Sequence, residues 1–170
     1  MASMEKRLQK ELLALTKDPP AGVKVDSQRI CTNLSEWTVD LEGAPESIYE
    51  GEKFQLMFKF GSRYPFESPQ VMFIGEHIPV HPHVYSNGHI CLSILTYDWS
   101  PALSAQSVCL SVVSMLSSCK EKKRPPDNAF YVKTCSKNPK KTRWWYHVLL
   151  NKVERNSVNM YEEERPCDMK

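Results

Sequence analysis

Three histidines stand just upstream of a cysteine in the segment HPHVYSNGHICLSIL, residues 81–95. The turn-forming residues Ser86, Asn87 and Gly88 lie among them, so the segment can fold back on itself. A thiol close to imidazole groups can do three kinds of chemistry. It can bind a metal ion, act as the nucleophile of a hydrolase, or carry an acyl group as a thioester.

The sequence contains some of the residues that a metal site or a hydrolase site would need. H-x-H and H-x-C spacings can ligate a metal from an extended strand, here through His81, His83, His89 and Cys91, although the pattern matches no standard zinc arrangement. A hydrolase needs a histidine base and an orienting group near the thiol, and His81, His83 or Asn87 could supply them. No glycine cluster for an oxyanion hole and no protease signature surrounds Cys91.

The acyl-carrier alternative asks less of the neighbouring residues. A partner delivers a high-energy acyl donor, so the cysteine needs little permanent activation. It needs an exposed sulfur on a rigid loop, a hydrogen-bond donor for the oxyanion, and access for an amine. The residue types around Cys91 leave all three alternatives open at this point.

Length and composition predict one globular domain. The chain has 170 residues, of which 41% are hydrophobic and 25% charged, and this suits a single buried core. No apolar run approaches the roughly 20 residues that a membrane span needs. The opening residues mix acids with bases, unlike a transit peptide or a signal peptide. We therefore expect an intracellular protein that has no membrane partner.

The cysteines show no C-x-x-C pair, which argues against a structural zinc site and against a disulfide framework. There are six of them: Cys31, Cys91, Cys109, Cys119, Cys135 and Cys167. Cys109 lies within an apolar helical pattern, so we expect it to be a small buried hydrophobe. Only Cys91 has unusual surroundings.

A basic segment runs from Lys120 to Arg143, with nine Lys or Arg against two Asp or Glu. This local excess is larger than the net charge of +2 carried by the whole chain. Such a segment could bind nucleic acid or an acidic protein surface, but no signature of a nucleic-acid module accompanies it. We interpret it as a solvated helical face and expect no nucleic-acid partner.

Hydrophobic periodicity predicts an α+β domain. Leucines recur at helical spacing before the stop DPP at 18–20, and Ser104 is placed to cap a buried helix. Three antiparallel strands are predicted in EWTVDLEG (36–43), EKFQLMFKF (52–60) and QVMFI (70–74). Two shorter helices are predicted in DNAFYVKTC (127–135) and PKKTRWWYHVLL (139–150).

The stretch from Gly75 to Ile90 has no clear periodicity. Pro79 and Pro82 within it forbid a regular element. A long ordered loop inside a compact domain is often functional. The loop ends at Cys91, so we expect it to form the active site.

Four motifs then carry a resemblance to a known family: YPFESP, HPH, ICL and WSPA. Their order and intervals closely resemble the catalytic core of ubiquitin-conjugating enzymes, from about Ser3 to His147. The resemblance implies an α+β ubiquitin-conjugating (UBC) fold, with an N-terminal helix, a four-stranded antiparallel meander, a central helix and short C-terminal helices. The fourth strand, which the periodicity misses, is expected near the loop. Residues 1–150 would form the core domain, and 151–170 a polar, flexible tail.

The resemblance implies an acyltransferase in which Cys91 accepts ubiquitin from the activating enzyme as a thioester. No cofactor is implied, because ATP is used by the activating enzyme. Three partner surfaces follow: Phe66, Pro101 and Ala102 for RING and U-box ligases, Lys6, Arg7 and Lys10 for the activating enzyme, and Ile30 and Glu67 for non-covalent ubiquitin binding. A location in nucleus and cytoplasm and a capacity for weak self-association are also implied.

The departures from the family pattern lie around the cysteine. Where the family has the asparagine of H-P-N, this chain has His83, whose neutral imidazole can still donate one N–H to support the loop and the oxyanion. Ser93 stands where many members have aspartate. The segment CKEKKRPPDN is longer and more basic than usual, which leaves Asp127 or Asn128 to serve as the family's acidic gate beside the cysteine.

These departures, with PPDNAFYVKTCSKNPKKTRWWYH, resemble most closely the branch of the family that modifies protein N-termini. Substrates with flexible N-termini are therefore expected. The alternatives are a lysine-directed conjugating enzyme, a cysteine hydrolase and a non-catalytic ubiquitin-binding variant. His147 and Met160 match no residue with a role in the family.

Overall fold

The computed structural model describes residues 2–141. The helices within this part of the chain are α1 (Ala2–Lys17), α2 (Ser27–Ile30), α3 (Ala105–Ser117) and α4 (Asn128–Thr134). The strands are β1 (Val23–Val25), β2 (Glu36–Glu42), β3 (Lys53–Lys59) and β4 (Gln70–Ile74). Two 3₁₀ turns occupy Ser93–Leu95 and Pro139–Lys141. The predicted α+β class is confirmed.

The four strands form one antiparallel meander in the order β1-β2-β3-β4. Strict alternation of buried and exposed residues in β2 and β3 explains why the sequence predicted both so closely. Their pairing places Val39 opposite Leu56 and Trp37 opposite Phe58, and all four side chains are fully buried. Fixing one face in the core fixes the register of the strands.

The fourth strand is the one that the periodicity missed, and its expected place near the loop is wrong. It is β1, which pairs with β2 at the edge of the sheet opposite to β4. The loop leaves the other edge, after Ile74. Three residues with one fully buried side chain, Val23, are too few to show a period-2 pattern.

The two long helices pack against each other and bury the apolar faces that the sequence predicted. In α1 these are Leu8, Leu12 and Leu15. Helix α3 begins at the predicted cap Ser104, whose Oγ accepts the backbone N–H of Ser107 at 3.3 Å in a reciprocal capping box. Cys109 is buried within α3, as predicted.

Several sequence predictions fall outside residues 2–141. These are the part of the predicted helix 139–150 beyond Lys141, the tail 151–170, and the residues His147 and Met160. The predicted helix at 127–135 corresponds to α4. No helix in the described part of the chain is long and apolar enough to cross a membrane.

Candidate active site

Cys91 lies at the end of the long loop that follows β4. Its backbone N–H donates to the carbonyl of His83 at 2.8 Å, and an antiparallel bridge pairs Val84 with Ile90 one residue away. The thiol is half-buried, and this burial, with a smaller contribution from the charge of Asp127, raises the pKa of Cys91 to about 12. Cys91 is therefore a protonated thiol at neutral pH.

A tight turn brings the loop back from β4 to the cysteine. The N–H of Gly88 donates to the carbonyl of Tyr85 at 2.9 Å, and the carbonyl of Gly88 accepts the N–H of Phe73 at 2.9 Å. Gly88 has φ +92, and a Cβ there would come within 2.0 Å of the carbonyl oxygen of Phe73. Only glycine satisfies both the left-handed conformation and the close approach to β4.

His81 is a structural link rather than a base. Its Nδ1 accepts the backbone N–H of His83 at 2.9 Å, so the proton resides on Nε2, which donates to the carbonyl of Met115 at 3.0 Å. Burial lowers the pKa of His81 to about 4. The neutral ring thus ties the loop to the C-terminal end of α3.

The other two histidines face different surroundings. His83 has an exposed side chain, and the partial burial of its ring lowers its pKa, which favours the neutral imidazole. His89 is buried, with Nδ1 at 2.8 Å from the hydroxyl of Tyr131. Among residues 2–141, no group of three His, Cys, Asp or Glu side chains is arranged to hold a metal ion.

The two residues predicted as an acidic gate have different positions. The carboxylate of Asp127 accepts the hydroxyl of Tyr85 at 3.0 and 3.1 Å, and its charge acts on the Cys91 thiol. Asn128 instead binds the loop: its Oδ1 accepts the N–H of Ser86 at 2.8 Å and its Nδ2 donates to the Ser86 hydroxyl at 3.1 Å. Asp127 thus binds Tyr85 and raises the pKa of Cys91 through its charge, while Asn128 binds the backbone and side chain of Ser86.

Sequence reasoning missed Tyr85 and Arg124. Tyr85 is buried, stacks on Tyr131 with ring centroids 3.7 Å apart, and holds Asp127. Arg124 donates to backbone carbonyls of the loop and was included in the basic segment interpreted as a solvated face. Two features of the sequence could have pointed to them: a tyrosine lies between HPH and the turn, and an arginine lies directly before two prolines.

An open cleft of about 530 Å³ runs beside the cysteine. One wall is the HPH segment with Cys91 and Ser93. The other is the end of α3 and the segment after it, including Met115, Cys119 and Lys120. A chain end that reaches the sulfur can lie in this cleft.

The three residues predicted to contact ligases lie together on two linked loops. Phe66 is 77% exposed, and Pro101 and Ala102 are exposed on the second loop. The indole N–H of Trp99 donates to the carbonyl of Pro65 at 2.8 Å and ties the loops together. An exposed phenylalanine on a rigid ridge is typical of a protein contact surface.

The helix face predicted to meet the activating enzyme divides into two parts. Lys6 and Lys10 are exposed on α1. Arg7 pairs with the buried Glu11 and donates to the carbonyls of Pro101 at 3.0 Å and Leu103 at 2.8 Å. It therefore holds the second ridge loop in place.

Glu11 lies at the centre of this network. Its carboxylate accepts the hydroxyl of Tyr64 at 2.7 and 2.8 Å and the N–H of Ala105 at 2.9 Å.

The expected surface position of Ile30 is wrong, because this side chain is part of the buried core. Glu67 is exposed and pairs with Arg63 at 3.2 Å.

Residues 7–148 match the profile of the family described as "Ubiquitin-conjugating enzyme". The chain is 76% identical over 147 residues to the probable ubiquitin-conjugating enzyme E2 W-A of Danio rerio, covering 86% of this chain and 97% of that one. It is 61% identical over 142 residues to ubiquitin-conjugating enzyme E2 W of Caenorhabditis elegans, covering 84% and 93%. The crystal structure of ubiquitin-conjugating enzyme E2 UbcA1 from Agrocybe aegerita superposes with a TM-score of 0.74 at 46% identity, covering 80% of this chain and 97% of that one.

Proposed function

The chain belongs to the E2 W family of ubiquitin-conjugating enzymes, and from this premise we propose that Cys91 carries ubiquitin and passes it preferentially to α-amino groups of flexible protein N-termini. In the first step the Cys91 thiol gives up its proton as its sulfur attacks the thioester carbonyl held by the activating enzyme, and that enzyme's cysteine leaves as a thiolate and takes up a proton. In the second step an amine attacks the new thioester, an amide forms, and Cys91 leaves and regains a proton.

The position of Cys91 on the wall of the open cleft is the observation that carries the thioester role. A hydrolase would need an imidazole that removes the thiol proton. Here the imidazole of His81 is bound to backbone groups through both nitrogens, and burial raises the pKa of Cys91 to about 12. Such a sulfur is suited to exchange with an already activated acyl donor, beside a cleft that admits a chain end.

The preference for α-amines rests on proton chemistry, because only a neutral amine attacks a thioester. With pKa values of about 7.8 and 10.4, roughly a quarter of α-amines but only about 0.1% of lysines are neutral near pH 7.4. A lysine-directed site must therefore supply about 3.5 kcal/mol of help with deprotonation. That help would come from a free, well-placed base.

The base available here is already engaged. Both oxygens of Asp127 accept the Tyr85 hydroxyl, and Ser93 replaces a second acid beside the cysteine. The lowered pKa of His83 favours its neutral imidazole, which can donate one N–H to the tetrahedral oxyanion without adding positive charge. This arrangement supports attack by an amine that arrives neutral.

The test compares discharge of the charged enzyme onto three acceptors at equal concentration: free lysine, a peptide with a free N-terminus and no lysine, and its N-acetylated twin. We expect rapid discharge onto the free peptide and little onto the other two. Equal rates with the free and acetylated peptides would refute the preference. Faster discharge onto lysine than onto the free peptide would establish the lysine-directed alternative.

We further propose that ligases bind the ridge formed by Phe66, Pro101 and Ala102. Truncation of a central apolar anchor typically costs about 1–3 kcal/mol of binding. Phe66→Ala should therefore leave charging intact and weaken ligase-stimulated discharge by about tenfold or more. Unchanged stimulation by several RING and U-box ligases would place their surface elsewhere.

The activating enzyme is proposed to bind the exposed part of α1. Lys6 and Lys10 are the appropriate probes, because Arg7 also holds the ridge loop and its replacement would disturb both surfaces. Lys6→Glu with Lys10→Glu should raise the KM for charging and leave ligase-stimulated discharge of the charged enzyme unchanged. An unaltered charging KM would contradict this surface.

A further inference from the structure

Two side chains from distant parts of the chain bind backbone carbonyls in the approach to the active site, residues 78–84. The Tyr49 hydroxyl donates to that of Val80, and Arg124 binds three others. Arg124 donates through Nη1 to the carbonyls of Pro79 at 2.7 Å and Val84 at 3.3 Å, and through Nη2 to that of Ile78 at 3.4 Å. The guanidinium is half-buried, and its planar fork matches several carbonyls at once. An irregular loop has no ladder partners for these groups, so they need such a donor.

We infer that Arg124 is a positioning residue for the transfer reaction, because its contacts lead directly to the sulfur. Val84 is bridged to Ile90, the residue before Cys91. The carbonyl that precedes Val84, that of His83, accepts the N–H of Cys91 at 2.8 Å. A shift of Val84 therefore moves the backbone of both the cysteine and its neighbouring imidazole.

The same segment also fixes the carboxylate that acts on the thiol. Asp127 follows Arg124 after two prolines, whose rings restrict φ, and Pro125 is buried. Arg124 binds one side of the loop while Asp127 holds Tyr85. The distance between the sulfur and the carboxylate is thus set by a short, stiff connection that ends at Arg124.

A neighbouring lysine offers a matched control. Lys122 lies two residues away and has the same charge, but its Nζ binds Glu52 at 2.6 Å and lies 5.1 Å from the ring centroid of Tyr49. Within residues 2–141, the Lys122 side chain makes no hydrogen bond to a carbonyl of residues 78–84. Loss of Lys122 removes a charge and an ion pair from the segment without removing the loop contacts.

The experiment measures single-turnover discharge of charged enzyme over acceptor concentrations up to saturation, using whichever amine the unmodified enzyme accepts, so that it does not depend on the α-amine preference. Arg124→Met should lower the maximal discharge rate about tenfold or more with little change in the KM for the amine, since misplacement by about 1 Å can cost a hundredfold. Lys122→Met should stay within about twofold of the unmodified enzyme. Arg124→Lys, which keeps the charge but not the fork, should be intermediate.

Amide hydrogen exchange supplies a readout that a general loss of stability would not reproduce. In Arg124→Lys the amides of Val84 and Cys91 should exchange faster, while those of β2 and β3 remain protected. This measurement also decides the matter if Arg124→Met does not fold. A discharge rate within twofold of the unmodified enzyme in Arg124→Lys together with unchanged exchange at Cys91, or equal losses in Arg124→Met and Lys122→Met, would overturn the inference.

Discussion

The sheet and the active-site loop are stabilised in contrasting ways. In β2 and β3 every second side chain is buried, and a continuous ladder pairs Glu36–Glu42 with Lys53–Lys59. The loop from Gly75 to Ile90 has isolated bridges, a few turn hydrogen bonds and a few side chains that bind its backbone, but no continuous ladder. Many weak contacts share the stability of the sheet, whereas single residues determine the shape of the loop.

This difference predicts which substitutions affect stability and which affect rate. Changes in the sheet should lower the free energy of unfolding and leave the folded molecules active. Changes in the loop should alter charging or discharge while the fold remains.

The largest expected effect is at the sulfur. Cys91→Ala should abolish charging completely, because no other described thiol replaces its position, and Cys91→Ser should trap an oxyester that resists thiol reagents. Cys119→Ala is the matched control, since Cys119 lines the same cleft and should be dispensable. Mass spectrometry after incubation with ubiquitin, activating enzyme and ATP checks this. Charging of Cys91→Ala would move the acceptor elsewhere.

A core substitution should give the opposite outcome. Phe58 is fully buried in β3, with ring centroids 6.3 Å from Trp37 and 6.0 Å from Phe60. Phe58→Ala should lower the free energy of unfolding by about 3–5 kcal/mol, from lost burial and the cavity left behind. Denaturant titration measures this loss. Charging per folded molecule should be unchanged, and a matching fall in that rate would break the division between sheet and loop.

The sequence predicted the sheet well because alternation is a local property. Buried residues such as Val39 and Leu56 reveal their strands without knowledge of any partner. The edge strand β1 was not predicted, because three residues are too few to show alternation. The family motifs identified Cys91 and the ridge residue Phe66, while periodicity did not.

The supports of the site could not be predicted in the same way. Tyr85 and Asp127 are 42 residues apart, as are Ser86 and Asn128, and Arg124 reaches loop carbonyls 40 to 46 residues away. Such contacts depend on how the segment after α3 returns to the loop. No pattern in the chain encodes this return, so the different contacts of Asp127 and Asn128 could not be predicted from the sequence.

The buried His81 links loop geometry to stability in a pH-dependent way. Its pKa is about 4 in the folded protein and about 6.5 when unfolded, so the unfolded chain binds more protons between these values. Stability should therefore be fully present above about pH 6.5 and fall as the pH drops towards 4, by about 3 kcal/mol. Denaturant titration across this range measures the loss. In His81→Gln the fall in the free energy of unfolding between these pH values should be smaller by about this amount. A pH dependence equal to that of the unmodified protein would contradict its assignment to His81.

The smallest expected effect comes from Asp127→Asn, which should change the rate of charging differently from the rate of discharge. The charge of Asp127 contributes to the raised pKa of Cys91, so Asp127→Asn should lower that pKa and increase the thiolate fraction at any pH below it. Charging at limiting activating enzyme should then rise a few-fold, since the thiolate is the attacking species. Discharge onto an α-amine should stay unchanged, because the carboxylate is engaged by the Tyr85 hydroxyl and is not the proton acceptor for an amine that arrives neutral. Tyr85→Phe keeps the charge but removes the hydroxyl that holds it, so charging should not rise in that variant. Rapid-quench measurements of both half-reactions decide the matter: parallel changes in charging and discharge would mean that Asp127 acts through loop structure and not through its charge.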